Sequence, residues 1–238
     1  MGAGVPRLIA TCGLAAILLM PLGTTAAATS AEPSPAATRP AAGERQSGGG
    51  GILYDQRDND AGELIVSQNF QDSFFDTYDS SGADDFVVPS GETWKIRAVD
   101  VTGHYFSCSD CGPATSQRVR FYRDAGGSPG PLVATFGPLL GVESDGSFTI
   151  PLGPDGPVLS PGTYWVAVQI NMPYICCGEW GWETRTVQGN APAAWKNPRD
   201  GFETGCTTWH DVQECVGDYA GPDFMFAIRG IRQQARGG

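Results

Sequence analysis

The sequence predicts an all-β domain: a two-sheet antiparallel sandwich of jelly-roll type, stapled by disulfides, with a closed barrel as the alternative. Short apolar segments of period two recur along the chain and are separated by Gly, Pro, Asn and Asp. No window of about 11 residues combines helical apolar spacing with a helix-forming composition. Of the seven cysteines, the six that follow Cys12 fall into three close pairs. Together these features favour paired strands held by covalent cross-links.

The residues before the folded domain predict export. Residues 1–31 have the features of a secretory signal, because Arg7 precedes the apolar run Leu8–Met20 and small residues follow it. The run is shorter than the roughly 20 residues of a membrane-spanning helix, so no membrane insertion is expected after cleavage. The expected location is therefore secreted and extracellular. The remaining boundaries are a disordered Pro/Ala/Gly linker at 32–51, the β-sandwich domain at 52–232 and a C-terminal tail at 233–238.

The predicted strands are the segments in which apolar residues alternate with other residues. In chain order they are Trp94–Phe106, Arg118–Tyr122, Ser147–Leu152, Thr163–Met172 and Phe224–Arg229. Thr163–Met172 is the clearest, and its core-facing set is Tyr164, Val166, Val168, Ile170 and Met172. In the first of these strands the apolar positions change face, which predicts a bulge near Ala98–Asp100.

The cysteine spacing predicts one local bridge and two longer ones. Cys206 and Cys215 bracket a short loop and are expected to pair with each other. Cys108, Cys111, Cys176 and Cys177 allow three pairings, of which cross-links between the first two and the last two are favoured because a bond between neighbours would be strained. These cross-links would join the loops 107–116 and 173–182 at one end of the sandwich. Zinc bound by His104 and these cysteines is the alternative, but an exported chain favours disulfides, so no metal is predicted.

Charge and composition exclude several classes of partner. The formal net charge of −11 argues against nucleic acid and anionic membranes as partners. No cofactor is predicted. Two groups of aspartates, 55–60 and 84–85, supply oxygen ligands that calcium accepts, but their spacing misses the calcium-loop pattern.

A catalytic centre is not evident in the sequence. Ser128 lies in the segment 126–130, which matches G-x-S-x-G literally, but Pro129 follows the serine and the segment is predicted to be a hairpin turn. The histidines are His104 and His210, and no nucleophile is marked out near either. We therefore expect a protein that is not an enzyme.

Aromatic residues supply the predicted ligand site. Trp180 and Trp182 share parity, so on a strand they point the same way. At the predicted disulfide end they would gather with Tyr174, Glu179 and Asp110, giving flat apolar faces beside carboxylates. This composition suits a neutral or cationic ligand, such as a polysaccharide or another cell-surface ligand. The alternative is that the tryptophans belong to the core.

Four segments carry a resemblance to a known group of proteins. They are ADDFVVPSGETWKIRAVDVTGHYF (83–106), FYRDAGGSPGPLV (121–133), LSPGTYWVAVQINM (159–172) and GEWGWETR (178–185). The chain resembles secreted bacterial β-sandwich modules of the kind attached to extracellular peptidases and surface proteins. The resemblance implies the fold and the location, and it brings no catalytic residues. The expected function is a secreted, non-enzymatic binding or interaction module, and the alternative is a small secreted hydrolase acting on glycan or peptide.

Overall fold

The computed structural model describes residues 50–234. The predicted signal, almost all of the predicted linker and the last four residues of the tail lie outside this range. The described strands are β1 Gly51–Asp55, β2 Asp60–Val66, β3 Gln68–Phe70, β4 Ser81–Val88, β5 Glu92–Val101, β6 Gly103–Phe106, β7 Ser116–Asp124, β8 Pro129–Leu139, β9 Val142–Ser144, β10 Ser147–Pro151, β11 Val158–Leu159, β12 Gly162–Met172, β13 Glu179–Arg185, β14 Ala194–Lys196, β15 His210–Asp211, β16 Asp223–Phe224 and β17 Phe226–Gln234. The described helices are a 3-10 helix at Ser73–Tyr78, α1 at Tyr174–Cys177 and α2 at Val212–Val216.

The prediction of an all-β chain is confirmed for the described residues, but the strands form three sheets rather than two. The first has the order β1-β17-β5-β10-β9, with β11 beside β5. The second has the order β15-β14-β4-β12-β7-β8, with β3 added to β12. The third has the order β16-β13-β2, with β6 beside β13. Among the described pairings, only that of β3 with β12 is parallel. In residues 50–234 no helix has the length and apolar character needed to cross a membrane.

The strand with the clearest alternation, β12, lies at the centre of the second sheet between β4 and β7. All five residues of its predicted core-facing set are buried. The opposite face is buried as well, because Trp165 and Ala167 pack with Tyr122 and Ala194 under the partly exposed Trp209. The strand is therefore covered on both sides, whereas alternation alone predicts one covered side.

The first and second sheets share one apolar core. Phe86 of β4 stacks in parallel with Trp94 of β5, with ring centroids 6.2 Å apart. The centroid of the Phe86 ring also lies within 6.5 Å of the ring centroids of Tyr164, Phe121 and Phe226. Because these rings come from five strands of two sheets, Phe86 lies at the junction between those sheets.

The predicted bulge is present one residue before the expected range. Arg229 of β17 pairs with Ala98 of β5, and Gly230 pairs with Ile96, so Arg97 is the extra residue. The bulge lets Ile96 and Val99, which have opposite parity, both enter the core.

The last strand of the second sheet, β8, pairs with β7 alone. It contains Pro129, Pro131 and Pro138, and its register with β7 shifts at three places. Proline lacks the N–H that a ladder needs, so this irregular pairing is consistent with a strand at the edge of a sheet.

We expect Gly103→Ala to destabilise the fold because this glycine lies under a tryptophan. A Cβ at residue 103 would overlap the ring of Trp180 and lie 2.6 Å from the carbonyl oxygen of Gly181. Such overpacking costs about 1–3 kcal/mol of unfolding free energy, which urea denaturation of the purified protein would measure. Gly51→Ala is the matched control, since a Cβ added at that residue would have nothing within 4 Å. Equal losses in the two variants would contradict the prediction.

Candidate functional site

The two tryptophans of the predicted ligand site are interior residues, which corrects the expectation that they form a binding face. Trp180 and Trp182 are each 0% exposed. The indole N–H of Trp180 donates to the carbonyl oxygen of Gly146 at 2.7 Å, and that of Trp182 donates to the carbonyl oxygen of Met225 at 2.9 Å. Their shared parity turns both into the core, so neither can stack on a ligand.

Glu179, also expected in that site, is buried. Its carboxylate accepts a hydrogen bond of 2.6 Å from the Ser107 hydroxyl. Burial raises the pKa of Glu179, and the serine hydrogen bond opposes this effect. The residue therefore ties β13 to the loop that follows β6 and does not face a ligand.

The loop 107–116 meets residues 173–178 through backbone contacts, whereas the prediction for 107–116 and 173–182 relied on disulfides between them. The Gly112 N–H donates to the Cys177 carbonyl oxygen at 2.8 Å. A Cβ on Gly178 would lie 2.7 Å from the Cys108 sulfur and 3.2 Å from the Cys111 sulfur, so that disulfide packs directly on this glycine. The meeting follows from the strands, since β13 pairs with β6 with Glu179 opposite Phe106.

The pairing of the four cysteines in these loops differs from the favoured prediction. Cys108 is bonded to Cys111, and Cys176 is bonded to Cys177. The cross-links expected between the loops are absent from the described residues. The cysteines of each pair are close in sequence and lie in the same loop. Their bond therefore does not depend on how the two loops lie relative to each other. The predicted local bridge between Cys206 and Cys215 is present.

An exposed apolar surface lies beside these bridges. We call Phe74, Tyr174 and Ile175 the apical patch. Phe74 is 84% exposed and Ile175 is 76% exposed, whereas Tyr174 is half-buried. The Ile175 N–H donates to the Asp72 carboxylate at 3.1 Å, which joins α1 to the segment before the 3-10 helix. The patch is therefore shared by two short helices whose segments are hydrogen-bonded to each other.

Aromatic rings support the apical patch from below. Phe75 packs on Tyr174 with centroids 4.7 Å apart, and Phe74 meets Phe75 edge-on at 5.3 Å. Beneath them Phe70 is buried and contacts Phe75, Tyr78 and Tyr174. Sequence reasoning missed this cluster because residues 70–78 have neither strand nor helix periodicity. The available signal was the density of aromatic residues in an otherwise acidic segment.

Acidic side chains lie in the segments that carry the apical patch and in the neighbouring cysteine loop. Asp110, predicted at this end of the molecule, is exposed in the loop 107–116. Asp76 lies in the 3-10 helix and forms an ion pair of 3.1 Å with Arg199. Asp72 accepts the hydrogen bond from α1. Arg199 compensates the charge of Asp76, so Asp110 and Asp72 are the acidic groups of these segments without an ion pair among the described residues.

A second polar feature is a group of three buried aspartates, Asp84, Asp85 and Asp223. Asp84 is held on both oxygens: it accepts from the side-chain amide of Gln56 at 2.8 Å and from the N–H groups of Phe224 and Asp85, each at 2.7 Å. The Oδ1 atoms of Asp85 and Asp223 have no hydrogen-bond partner among the described residues. The sequence placed Asp84 and Asp85 at the opening of a strand, whereas both lie inside β4.

Burial dominates the acid–base properties of this group. Burial, together with the charge of Asp223, raises the pKa of Asp84 well above its usual range. Burial raises the pKa of Asp85 to about 7 and that of Asp223 to about 6. The Gly189 N–H and the Arg185 guanidinium oppose the shift at Asp223. The group therefore carries protons at a pH where exposed aspartates are ionised.

The structure also brings Ser128 and His210 to one cleft of about 290 Å³, which Trp209, Asp211 and Glu214 line as well. The hydrogen bonds of the described residues include none between Ser128 and His210. The His210 Nδ1 lies 3.8 Å from the Glu214 carboxylate. The Asp124 carboxylate accepts from the N–H groups of Gly126 and Gly127, and the segment forms the predicted hairpin turn between β7 and β8.

The aspartates suggested for calcium are engaged elsewhere. Asp55 pairs with Arg57 at 2.7 Å, and Asp58 pairs with Arg185 at 2.6 Å. Within residues 50–234 no group of three or more His, Cys, Asp or Glu side chains has the arrangement of a metal site. The sulfurs of the alternative zinc set are bonded in disulfides.

Comparison with known proteins gives no assignment: no protein-family model, no curated protein and no solved structure matches this chain.

We expect Asp85→Asn to change how stability depends on pH. The pKa of Asp85 is raised in the folded state, so folding takes up a proton between about pH 4 and pH 7, and stability falls as pH rises through this window. Asparagine carries no charge and removes this loss. The unfolding free energy of the variant, relative to wild type, should therefore rise by roughly 2–4 kcal/mol between pH 4.5 and pH 8.

Urea denaturation at these two pH values measures this difference. Val87→Thr, an exposed position on the same strand, should keep the wild-type pH dependence. A difference between Asp85→Asn and wild type that does not change with pH would contradict the assignment of the raised pKa to Asp85.

Proposed function

We propose that this chain is a secreted, non-enzymatic β-sandwich module of jelly-roll type that binds a cell-surface polysaccharide through the apical patch. The observation that carries the proposal is the exposure of Phe74, at 84%, next to Phe75, which is packed on Tyr174 with ring centroids 4.7 Å apart. Secretion agrees with three disulfides in the described residues and with the signal-like segment 1–31. The resemblance to secreted bacterial modules supports the same kind of role.

The exposure of the apical patch has a cost that a ligand would offset. Leaving a large apolar side chain in water forgoes about 1.5–3 kcal/mol relative to burying it. Phe74 remains exposed although Phe75, the next residue, is packed on Tyr174. Apolar surface rimmed by polar residues is a common mark of an interaction site.

The chemistry of the patch suits a neutral sugar. The ring of Phe74 presents a flat apolar face, and sugar rings have apolar faces formed by their C–H groups. Asp110 is exposed at the same end and supplies acceptors for hydroxyl groups. The net charge of −11 disfavours anionic polymers. The Cys108–Cys111 bridge constrains the loop that carries Asp110, which limits the ordering cost of binding at that residue.

A hydrolase acting on glycan or peptide is the second candidate. It is favoured by the cleft that Ser128 shares with His210. Turnover of a polymeric substrate by the purified chain, abolished by His210→Ala, would support the hydrolase and contradict the non-enzymatic proposal.

Phe74→Ala should weaken binding to the polysaccharide without affecting the fold. One aromatic stacking contact contributes about 1 kcal/mol, so the dissociation constant should rise about fivefold. Binding would be measured by depletion from suspensions of chitin, cellulose and purified bacterial cell wall. The melting temperature should stay at the wild-type value because the side chain is exposed.

Ile175→Ala is the matched control. Its side chain is also exposed and apolar but has no ring, so its loss should change the dissociation constant much less. Equal losses in the two variants would show general apolar contact, as with a protein partner, and would contradict recognition by stacking. Absence of binding to all three matrices would contradict the polysaccharide assignment.

A further inference from the structure

Two disulfides lie side by side at the end of the molecule that carries the apical patch. Gly178, the residue that follows Cys177, lies directly under the Cys108–Cys111 bridge, because a Cβ added there would approach the two sulfurs to 2.7 Å and 3.2 Å. Across the same contact the Gly112 N–H, next to Cys111, donates to the Cys177 carbonyl oxygen at 2.8 Å. The backbones that carry the two bridges are therefore in direct contact.

These two bridges differ in accessibility from the third. Cys108 and Cys176 are exposed, and Cys111 and Cys177 are partly exposed. Cys206 and Cys215 are 5% and 8% exposed and belong to the main core. Thiol–disulfide exchange requires a thiolate to reach a sulfur, so the first two bridges are open to attack and the third is protected.

We propose that Cys108, Cys111, Cys176 and Cys177 form a thiol–disulfide exchange site, at which a low-molecular-weight thiol converts two bridges within loops into two bridges between loops. This inference does not depend on the proposed polysaccharide ligand, because it rests on the cysteines alone.

The exchange balances without any net oxidation or reduction. The incoming thiolate attacks the exposed Cys176 sulfur, forms a mixed disulfide there and releases Cys177 as a thiolate. Cys177 then attacks the Cys111 sulfur, which forms a Cys111–Cys177 bond and releases Cys108 as a thiolate. Cys108 attacks Cys176, forms a Cys108–Cys176 bond and expels the original thiolate, which is therefore a catalyst.

The two covalent states constrain the chain differently. The bridges in the structure close loops with sequence separations of 3 and 1. Bridges between residues 108–111 and 176–177 would close a much longer loop, which restricts the unfolded chain more strongly. The exchange would therefore convert two local links into two links between the loops after β6 and β12. It would also fix α1, which carries Tyr174 and Ile175, to the loop 107–116.

The experiment follows the bridges by non-reducing tryptic mapping of the full secreted chain before and after incubation with a substoichiometric amount of glutathione. Free thiols are trapped with N-ethylmaleimide at acidic pH before digestion. Cleavage after Arg and Lys leaves each cysteine pair within one peptide, namely 98–118, 124–185 and 200–229. A bridge between the loops is therefore visible as a species that joins the first two peptides.

We expect the joined species to appear on glutathione treatment, and the exposed bridges to exchange at least about tenfold faster than Cys206–Cys215. The double variant Cys176→Ser with Cys177→Ser should give no joined species, whereas Cys206→Ser with Cys215→Ser should still give it. Circular dichroism of each variant checks that the β structure is retained. No joined species from wild type, equal exchange at all three bridges, or a pairing unchanged by glutathione would overturn the proposal.

Discussion

The pairing of β13 with β6 positions the disulfide end of the molecule. In this ladder Glu179 pairs with Phe106. The cysteine loop that follows β6 and the cysteine loop that precedes β13 therefore lie side by side. The ladder is held from the core side, because the indole N–H groups of Trp180 and Trp182 are satisfied by backbone carbonyl oxygens. A buried indole without a partner would cost on the order of 1–3 kcal/mol. The tryptophans therefore support the surface that we propose for binding, although they do not form it.

The molecule keeps two features that do not favour stability. The apical patch leaves Phe74 in water, and the group around Asp84 places three carboxyl groups in the interior. Asp84 is stabilised by three N–H donors, but Asp85 and Asp223 each retain an oxygen without a partner in the described part of the chain. Protonation lowers the cost of the second feature at mildly acidic pH, whereas contact with a ligand would lower the cost of the first.

The sequence predicts those parts of the fold that depend on local patterns. Alternation identified β12, and the phase change in β5 located the bulge to within one residue of Arg97. The meeting of the two cysteine loops was predicted from disulfides between them, whereas the structure joins them through the ladder of β6 and β13. Patterns of period two state which residues share a face but not whether that face is covered. For this reason Trp180 and Trp182 could be assigned to a ligand site and are in fact buried.

Cysteine pairing and the apical patch depend on distances between segments. Cysteine spacing allowed bridges within loops and bridges between loops, and the structure has them within loops. Phe74 and Phe75 are adjacent and chemically identical, yet one is exposed and the other is packed on Tyr174. Only the path of α1 past the 3-10 helix distinguishes them, and that path is a tertiary property.

The edge strand β8 has a consequence for the behaviour of the protein at high concentration. Leu132 and Val133 are exposed on this strand, and a regular edge of such composition would invite another chain to add a strand. Pro129, Pro131 and Pro138 remove three hydrogen-bond donors from the edge, and the register shifts bend it away from a flat ladder. A second molecule would thus find an interrupted template, which protects a β-rich chain from growing into fibrils by edge addition.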